Sequence, residues 1–349
     1  MVLRDFPLRD SRPRVLIVYN QPVLSAGHPD AAQELDVLET VVEVEKVLPG
    51  EDFEVARFGY ARDPRLLLDR LAEWRPDVVF NLFEGEADRT ATEFYHAAVL
   101  EWARVPFTGS PAAALALARD KVRTKYLLRG GGLLTAPFLV LDEPREFDWP
   151  HAWPAFVKPA CQDASVGIDQ QSVVTTPAQL AARVRYVFDR YGPLVLVEQY
   201  VTGREFHVHV FEESDSRVQV MPPAEVRFRS GPGYWPVYTY DGKWNESSVE
   251  FRNTQLVGNV TLEGELGDRV AHVCATAYRL LGMRDYARVD LRVTPVGEPY
   301  VLEVNPNPYL NSLILMEGLK AMGRQFPEFV RGLVRNALDR ASDSARKCF

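Results

Sequence analysis

The sequence predicts a mixed architecture, an α/β lobe followed by two α+β lobes, and three observations carry that prediction. Up to about residue 103, buried-type strands alternate with segments of helical period, the pattern of a parallel sheet covered by helices. Past residue 138, short strands outnumber helices. Near the C-terminal end, two strand-length runs flank a Pro- and Gly-containing turn and read as a hairpin.

In chain order, residues 14–19 (RVLIVY) form the first strand. Residues 30–48 place Leu35, Leu38, Val42 and Leu48 near helical spacing. Residues 53–58 form a strand, and residues 63–74 a helix with Pro64 in its first turn. Residues 78–83 (VVFNLF) form a strand and 90–103 a helix, completing a Rossmann-like lobe with helices on both faces. A long helix is expected from Ser110-Pro111 to Arg129, ended by the Gly130-Gly131-Gly132 run. Strands at 138–141, 155–158, 172–175 and 194–198, with a helix at 178–189, make a small α+β lobe. Antiparallel strands follow at 205–211, 218–221 and 225–228, with helices at 266–281, 313–322 and 327–338. Residues 229–245, rich in Gly, Tyr and Trp, are expected to be a long loop of lid type.

The chain has 349 residues, 46% hydrophobic and 25% charged, enough for two or three lobes with cores of their own. A net charge of −8 argues against a mainly electrostatic nucleic-acid or membrane partner. Cys161, Cys274 and Cys348 are scattered and odd in number, which suggests no disulfide framework, no clustered zinc site and a reducing compartment. The charged segment 1–14 does not resemble a signal peptide, and no apolar run nears the ~18 residues of a membrane span.

The hairpin is the most informative stretch. In Tyr286-Ala287-Arg288-Val289-Asp290-Leu291, Arg288 and Asp290 share one strand face. In Tyr300-Val301-Leu302-Glu303-Val304-Asn305, Glu303 and Asn305 do the same. Three oxygen-bearing side chains and an arginine therefore converge opposite an apolar face. Oxygen ligands suit Mg²⁺, which is bound through one or two carboxylates plus substrate phosphates. An arginine beside them suits a phosphoryl group or a developing oxyanion. Upstream, Phe156-Val157-Lys158-Pro159 ends a strand in a lysine before the small-residue loop 163–168, a phosphate-binding pattern. Residues 195–201, followed by Gly203-Arg204-Glu205, form a strand and turn that could offer backbone groups to a purine edge.

In this order these residues resemble the ATP-grasp superfamily and, within it, the D-alanine–D-alanine ligase family, from about residue 14 to about 340. The resemblance rests on Asp120-Lys121 with Thr124-Lys125, Val157-Lys158-Pro159 with Ser165-Val166-Gly167, Glu198 with Gly203-Arg204-Glu205-Phe206, Arg288-Val289-Asp290, and Leu302-Glu303-Val304-Asn305. It implies an ATP-grasp fold divided into an N-terminal Rossmann-like domain (1–120), a central subdomain (121–200) and a C-terminal subdomain with the metal-binding hairpin (201–349). It implies an ATP-dependent, ADP-forming carboxylate–amine ligase that makes an amide or peptide bond through an acyl phosphate. The alternatives are an ATP-grasp ligase acting on a non-amino-acid or peptide substrate in specialised metabolism, or a non-catalytic nucleotide-binding module.

By the same resemblance, Lys121 and Lys158 contact ATP phosphates and Ser165 belongs to the phosphate loop. Glu198, Gln199, Tyr200 and Val201 meet adenine, and Glu205 meets the ribose. Asp290, Glu303 and Asn305 hold two Mg²⁺ ions, with Mn²⁺ a possible substitute. Arg288 stabilises the acyl phosphate and tetrahedral intermediate, Lys243 is the lid lysine, and Glu34 holds the amino group of the first substrate. A cytoplasmic homodimer acting on small amino acids or peptides is implied as well.

Three positions depart from the family pattern, all toward the substrates. Ala164 stands where a serine is usual, Trp244 where a tyrosine is usual, and Asn307-Pro308-Tyr309 where a Pro-Gly segment is usual. Indole only donates a hydrogen bond, so it cannot replace a phenol in a network that needs an acceptor. His207 and His209 alternate with apolar residues on a strand and are expected to be structural or surface groups.

Overall fold

A computed structural model describes residues 12–24, 31–48, 52–145, 147–162, 165–229, 231 and 233–347, with the side chains of 31–34 and 343–347 outside the description. The chain opens with β1 (Arg14–Asn20), α1 (Ala31–Val47), β2 (Glu54–Tyr60), α2 (Pro64–Trp74), β3 (Val78–Leu82) and α3 (Thr92–Trp102). The strands form a parallel sheet in the order β2-β1-β3, the expected alternation. Both faces of that sheet are apolar and both are covered. Val15, Ile17, Val78 and Phe80 pack against Val37, Val41 and Val44 of α1, whereas Leu16, Val18 and Val79 pack against Leu67 and Leu71 of α2 and Leu100 of α3.

Next come α4 (Ala112–Arg119) and α5 (Lys121–Gly130). One helix was expected here; Asp120 divides it. Asp120 leaves helical geometry (φ −86°, ψ 87°) and its carboxylate accepts from the Arg123 N–H at 2.9 Å, capping a new helix. The break puts Lys121 in the first turn of α5.

The central sheet contains β4 (Phe138–Leu141), β5 (Ala155–Pro159), β6 (Val173–Val174) and β7 (Val195–Gln199), in the order β4-β7-β5-β6, with α6 (Pro177–Tyr191) on one face. Of the strand expected at 172–175 only β6 forms, preceded by a 3-10 turn capped by Asp169.

The last sheet is antiparallel. Its strands are β8 (Arg204–Glu212), β9 (Val218–Val220) and β10 (Ala224–Phe228), then, after α7 (Tyr240–Trp244) and α8 (Val249–Asn253), β11 (Thr254–Val257). After α9 (Glu265–Leu280) it is completed by the hairpin β12 (Tyr286–Val293) and β13 (Pro299–Pro306). The path is β11-β10-β8-β12-β13, with β9 on β8. The helices α7 and α8 and the strand β11 occupy and follow the segment expected as loop. Thr239 and Ser248 cap the two helices through their side-chain oxygens. Finally, α10 (Leu313–Ala321) leads to α11 (Phe326–Lys347), longer than the expected 327–338. Val330, Leu333 and Val334 of α11 return to the first sheet and pack beside α1.

Candidate active site

The hairpin sets the register of the site. Arg288 lies opposite Asn305 and Asp290 opposite Glu303, so all four share one face of β12 and β13. Ala287, Val289, Leu291, Val301 and Val304 face the other way, into the core beneath α9. A β-bulge lies between Asp290 and Leu291, where Leu291 pairs with Val301 and Leu302 becomes the extra residue. Leu302 consequently lines the same cleft as its neighbour Glu303.

That cleft runs between the central and antiparallel sheets, and Lys121, Lys158, Ser165, Glu198–Val201, Glu205, Lys243, Asp290 and Glu303 all line it. Residues expected from distant parts of the sequence are thus brought together. Arg288 and Asn305 stand against Asp290: Arg288 donates to both carboxylate oxygens at 2.7 and 2.8 Å, and Asn305 Nδ2 donates to one of them at 3.0 Å. Burial works against the Arg288 charge, but Asp290 and Glu303 more than compensate and raise its pKa.

Most charges here are paired. Glu198, 4% exposed, meets Lys125 Nζ at 2.7 Å and Lys158 Nζ at 3.0 Å. Burial alone would raise its pKa, but the two ammonium groups win and hold it at about 2. The Glu198 side chain is therefore occupied by the two lysines. Gln199 and Tyr200 donate their N–H groups to the Pro137 and Pro154 carbonyls at 2.8 and 2.9 Å. Phe156, Ile168, Tyr200, Val237 and Leu302 supply apolar walls around this segment. Glu205 is held by Arg292 at 2.8 and 3.0 Å, and Arg292 also donates to the Val201 carbonyl at 2.9 Å. Gly203 permits this turn: at φ 155°, a Cβ there would come within 2.1 Å of the Val293 carbonyl oxygen.

Lys121 Nζ donates to the Gln162 carbonyl at 2.6 Å, so its head sits at the phosphate loop. Asp163 and Ala164 of that loop lie outside the described residues. Ser165, at φ 64°, donates its hydroxyl to the Tyr238 carbonyl at 3.0 Å. Gln170 pairs reciprocally with the Trp235 backbone at 2.8 and 3.1 Å, and Tyr200 Oη donates to the Pro236 carbonyl at 3.0 Å. Residues 235–238 are therefore docked on the central lobe, with Lys243 facing the cleft beside the Tyr238 ring at 4.7 Å. Burial lowers the Lys243 pKa, Glu303 opposes that, and Arg288 adds to it. Trp244 is 40% exposed on the following position. Glu34 lies on α1, but its side chain is outside the described residues.

Several contributors escape sequence reasoning. Arg292 continues the Arg288, Asp290 alternation by one more step, a signal that was available. Lys125 is a second lysine on the buried face of α5. His207 and His209 are both 4% exposed, so the structural half of the expectation holds and the surface half does not. His207 lines the cleft 3.8 Å from Asp290 and 3.9 Å from Glu205, and burial first, then Arg288 and Lys243, keeps it neutral well below its ordinary pKa.

No group of three or more His, Cys, Asp or Glu able to hold a metal occurs among the described residues. Two carboxylates and an amide oxygen on one hairpin face are the donor set of a hard cation that also takes phosphate and water oxygens, so the residues fit Mg²⁺. Among the described residues no helix is long and apolar enough to cross a membrane.

The model of the family described as "D-ala D-ala ligase C-terminus" matches residues 135–335. The D-alanine–D-alanine ligase of Pelobacter propionicus is 34% identical over 297 residues, 84% of this chain and 88% of that protein. An uncharacterized protein of Sinorhizobium fredii is 33% identical over 260 residues, 74% of this chain and 73% of the other. The crystal structure of the Bacillus anthracis D-alanine–D-alanine ligase complexed with ATP superposes with a TM-score of 0.72 at 20% identity, covering 95% of this chain and 99% of that one, a likeness of fold.

Proposed function

The chain belongs to the D-alanine–D-alanine ligase family, an ATP-dependent ligase of ATP-grasp fold that forms a peptide bond, and from that premise we propose how its own residues carry the reaction. The observation that bears most weight is the single cleft in which Lys121, Lys158 and Lys243 converge on Asp290 and Glu303.

A carboxylate resists attack by an amine because its charge and resonance make it a poor electrophile. Transfer of the γ-phosphoryl group to it makes an acyl phosphate with a good leaving group, and the amine of a second substrate then displaces phosphate. Lys121, Lys158 and Lys243 would neutralise the phosphates, while the 199–201 segment and the apolar walls hold the base and Glu205 the ribose. Asp290, Glu303 and Asn305 would hold Mg²⁺, or Mn²⁺ in its place, which supplies charge neutralisation at the transferring oxygens. Asn305 gives its Nδ2 to Asp290, and this leaves its Oδ1 as the oxygen available to a cation. Arg288 starts out on Asp290; neutralising that carboxylate would loosen the pair and let the guanidinium turn to the acyl phosphate and tetrahedral intermediate. The docked lid excludes water that would hydrolyse the acyl phosphate.

The substrates of this reading are small amino acids or peptides, with D-alanine the first compound to try. Glu34 is retained as the group for the first substrate's amine. The working division into 1–120, 121–200 and 201–349, a homodimer and a cytoplasmic setting belong to the same proposal.

The test is phosphate release from ATP and Mg²⁺ across amino acids and short peptides, with product identified by mass. Release with D-alanine and a dipeptide product would make D-alanine the substrate. Release with a different pair only would move the substrates and keep the chemistry. ATP binding with no release for any acid–amine pair would replace the reading by a nucleotide-binding module.

A further inference from the structure

A second, smaller cavity opens at the C-terminal ends of the parallel strands, the side of an α/β sheet on which ligands bind. Thr40, Asn81, Glu84, Tyr286, Asn307 and Leu310 are among its lining residues, and none of the lining residues is a lysine or arginine. Its room is about that of one water-sized group. Asn307 follows Asn305 by two positions, so the cavity begins where the hairpin's polar face ends. Its side chain is fixed, because Asn307 Oδ1 accepts from the Ser110 N–H at 2.7 Å. Gly109 makes that approach possible: at φ +91°, a Cβ there would sit 2.5 Å from Asn307 Oδ1.

Two independent features of this cavity ask for a ligand. Asn81 is 2% exposed and its Oδ1 accepts from the Phe83 N–H at 3.0 Å, yet its Nδ2 is buried with no hydrogen-bond partner. A buried donor left unpaired is costly, so an acceptor is expected to complete it. Beside it, Glu84 is held through its backbone, whose N–H donates to Asn20 Oδ1 at 3.0 Å, while its side chain is open to solvent. The Glu84 carboxylate makes no side-chain hydrogen bond and no ion pair among the described residues. Asp36, half-buried on α1, repels it, and the pKa of Asp36 is itself raised by burial and by Glu39. These two mutually repelling carboxylates meet no cation among the described residues, in contrast with Glu198, Glu205 and Asp290 of the cleft, each of which has one.

We propose that Glu84 and Asn81 form a substrate subsite for a cationic amine, Glu84 taking an ammonium group and Asn81 Nδ2 an oxygen next to it. The substrate class is an amino acid or amine that presents a second nitrogen to this end of the site. This deepens the ligase reading and rests on it only in calling the ligand a substrate.

Calorimetric titration of the full chain, with and without Mg²⁺ and a non-hydrolysable ATP analogue, tests it. The probes are the D and L forms of 2,3-diaminopropionate and ornithine, set against D- and L-alanine. At least one diamino acid should bind about tenfold or more tightly than alanine, the scale of one charge-assisted hydrogen bond. Glu84→Gln should erase the difference without lowering the melting temperature, and Glu84→Asp should keep part of it. Diamino acids that bind no better than alanine overturn the proposal, as does a preference that survives in Glu84→Gln. If the Gln variant does not fold, a preference undiminished in Glu84→Asp has the same force. Phosphate release is measured with the same compounds. Selective binding without release retains the subsite and removes the ligase reading; release with alanine and no preference does the reverse.

Discussion

In the larger cleft, Glu198 meets Lys125 and Lys158, Glu205 meets Arg292, and Asp290 meets Arg288. At the small cavity beside Asn307, Glu84 and Asp36 meet no cation among the described residues. Both regions hold carboxylates, and they differ in whether the charge is already balanced. A balanced cleft can be held rigid before ATP arrives, and it suits a ligand that brings its own metal. An unbalanced cavity is completed only by a ligand of the right charge, so discrimination between substrates belongs there. Of the departures from the family pattern, Asn307 and Pro308 line this cavity.

Substitutions at the balanced end test that contrast most severely. Glu198→Gln would leave two lysines buried without their carboxylate, and the loss in unfolding free energy should be about 3–5 kcal/mol by denaturant titration. A loss near zero would mean the triad is not balanced in the way described. The pH dependence has a definite sign. Because the folded-state pKa of Glu198 is about 2, below its ordinary value of 4.5, its contribution is fully present above pH 4.5 and is lost as pH falls toward 2. The Glu198→Gln protein should accordingly lose less stability across that window than the parent.

Next in size, Arg288→Ala should lower turnover by about 10²–10³-fold, the scale of one removed oxyanion donor, with ATP affinity largely kept. A strong fall in ATP affinity instead would make Arg288 a nucleotide-binding group. Glu303→Gln should cost about 10–100-fold in activity and shift the Mg²⁺ titration to higher concentration. An unchanged metal titration would take Glu303 out of the metal site.

How far these regions were legible in the sequence follows the same division. The hairpin declared itself because strand alternation fixes which side chains share a face, and Arg288, Asp290, Glu303 and Asn305 do fall on one face; the register that pairs Arg288 with Asn305 and Asp290 with Glu303 is seen only in the fold. The parallel sheet declared itself through apolar runs buried on both faces. Asp120 did not, because a single capping side chain overrode helical patterning that continued on both sides of it. The segment after Phe228 was opaque for the opposite reason: its helices are too short to show a period, and only their Thr239 and Ser248 caps mark them. Partners of charged residues were least legible. Nothing in the spacing of Lys125 and Glu198 announces a 2.7 Å contact, and Glu84 stands out only once its lack of a partner is visible.

One feature of the fold bears on the order in which the molecule can be made. The inner face of the first sheet, formed by residues 14–80, is closed by α11, which is synthesised some two hundred and fifty residues after β3 (330 against 80). Until Val330, Leu333 and Val334 emerge, Ile17 and Phe80 lack part of their cover, so the lobe that starts the chain is among the last to be finished. Asp285 reinforces the closure by accepting from the Gly109 N–H at 2.7 Å and from Arg340 of α11 at 2.6 and 2.9 Å. Residues 14–80 and 326–340 therefore have to find each other late in folding, and the apolar surface exposed in the interval is where association would compete with closure.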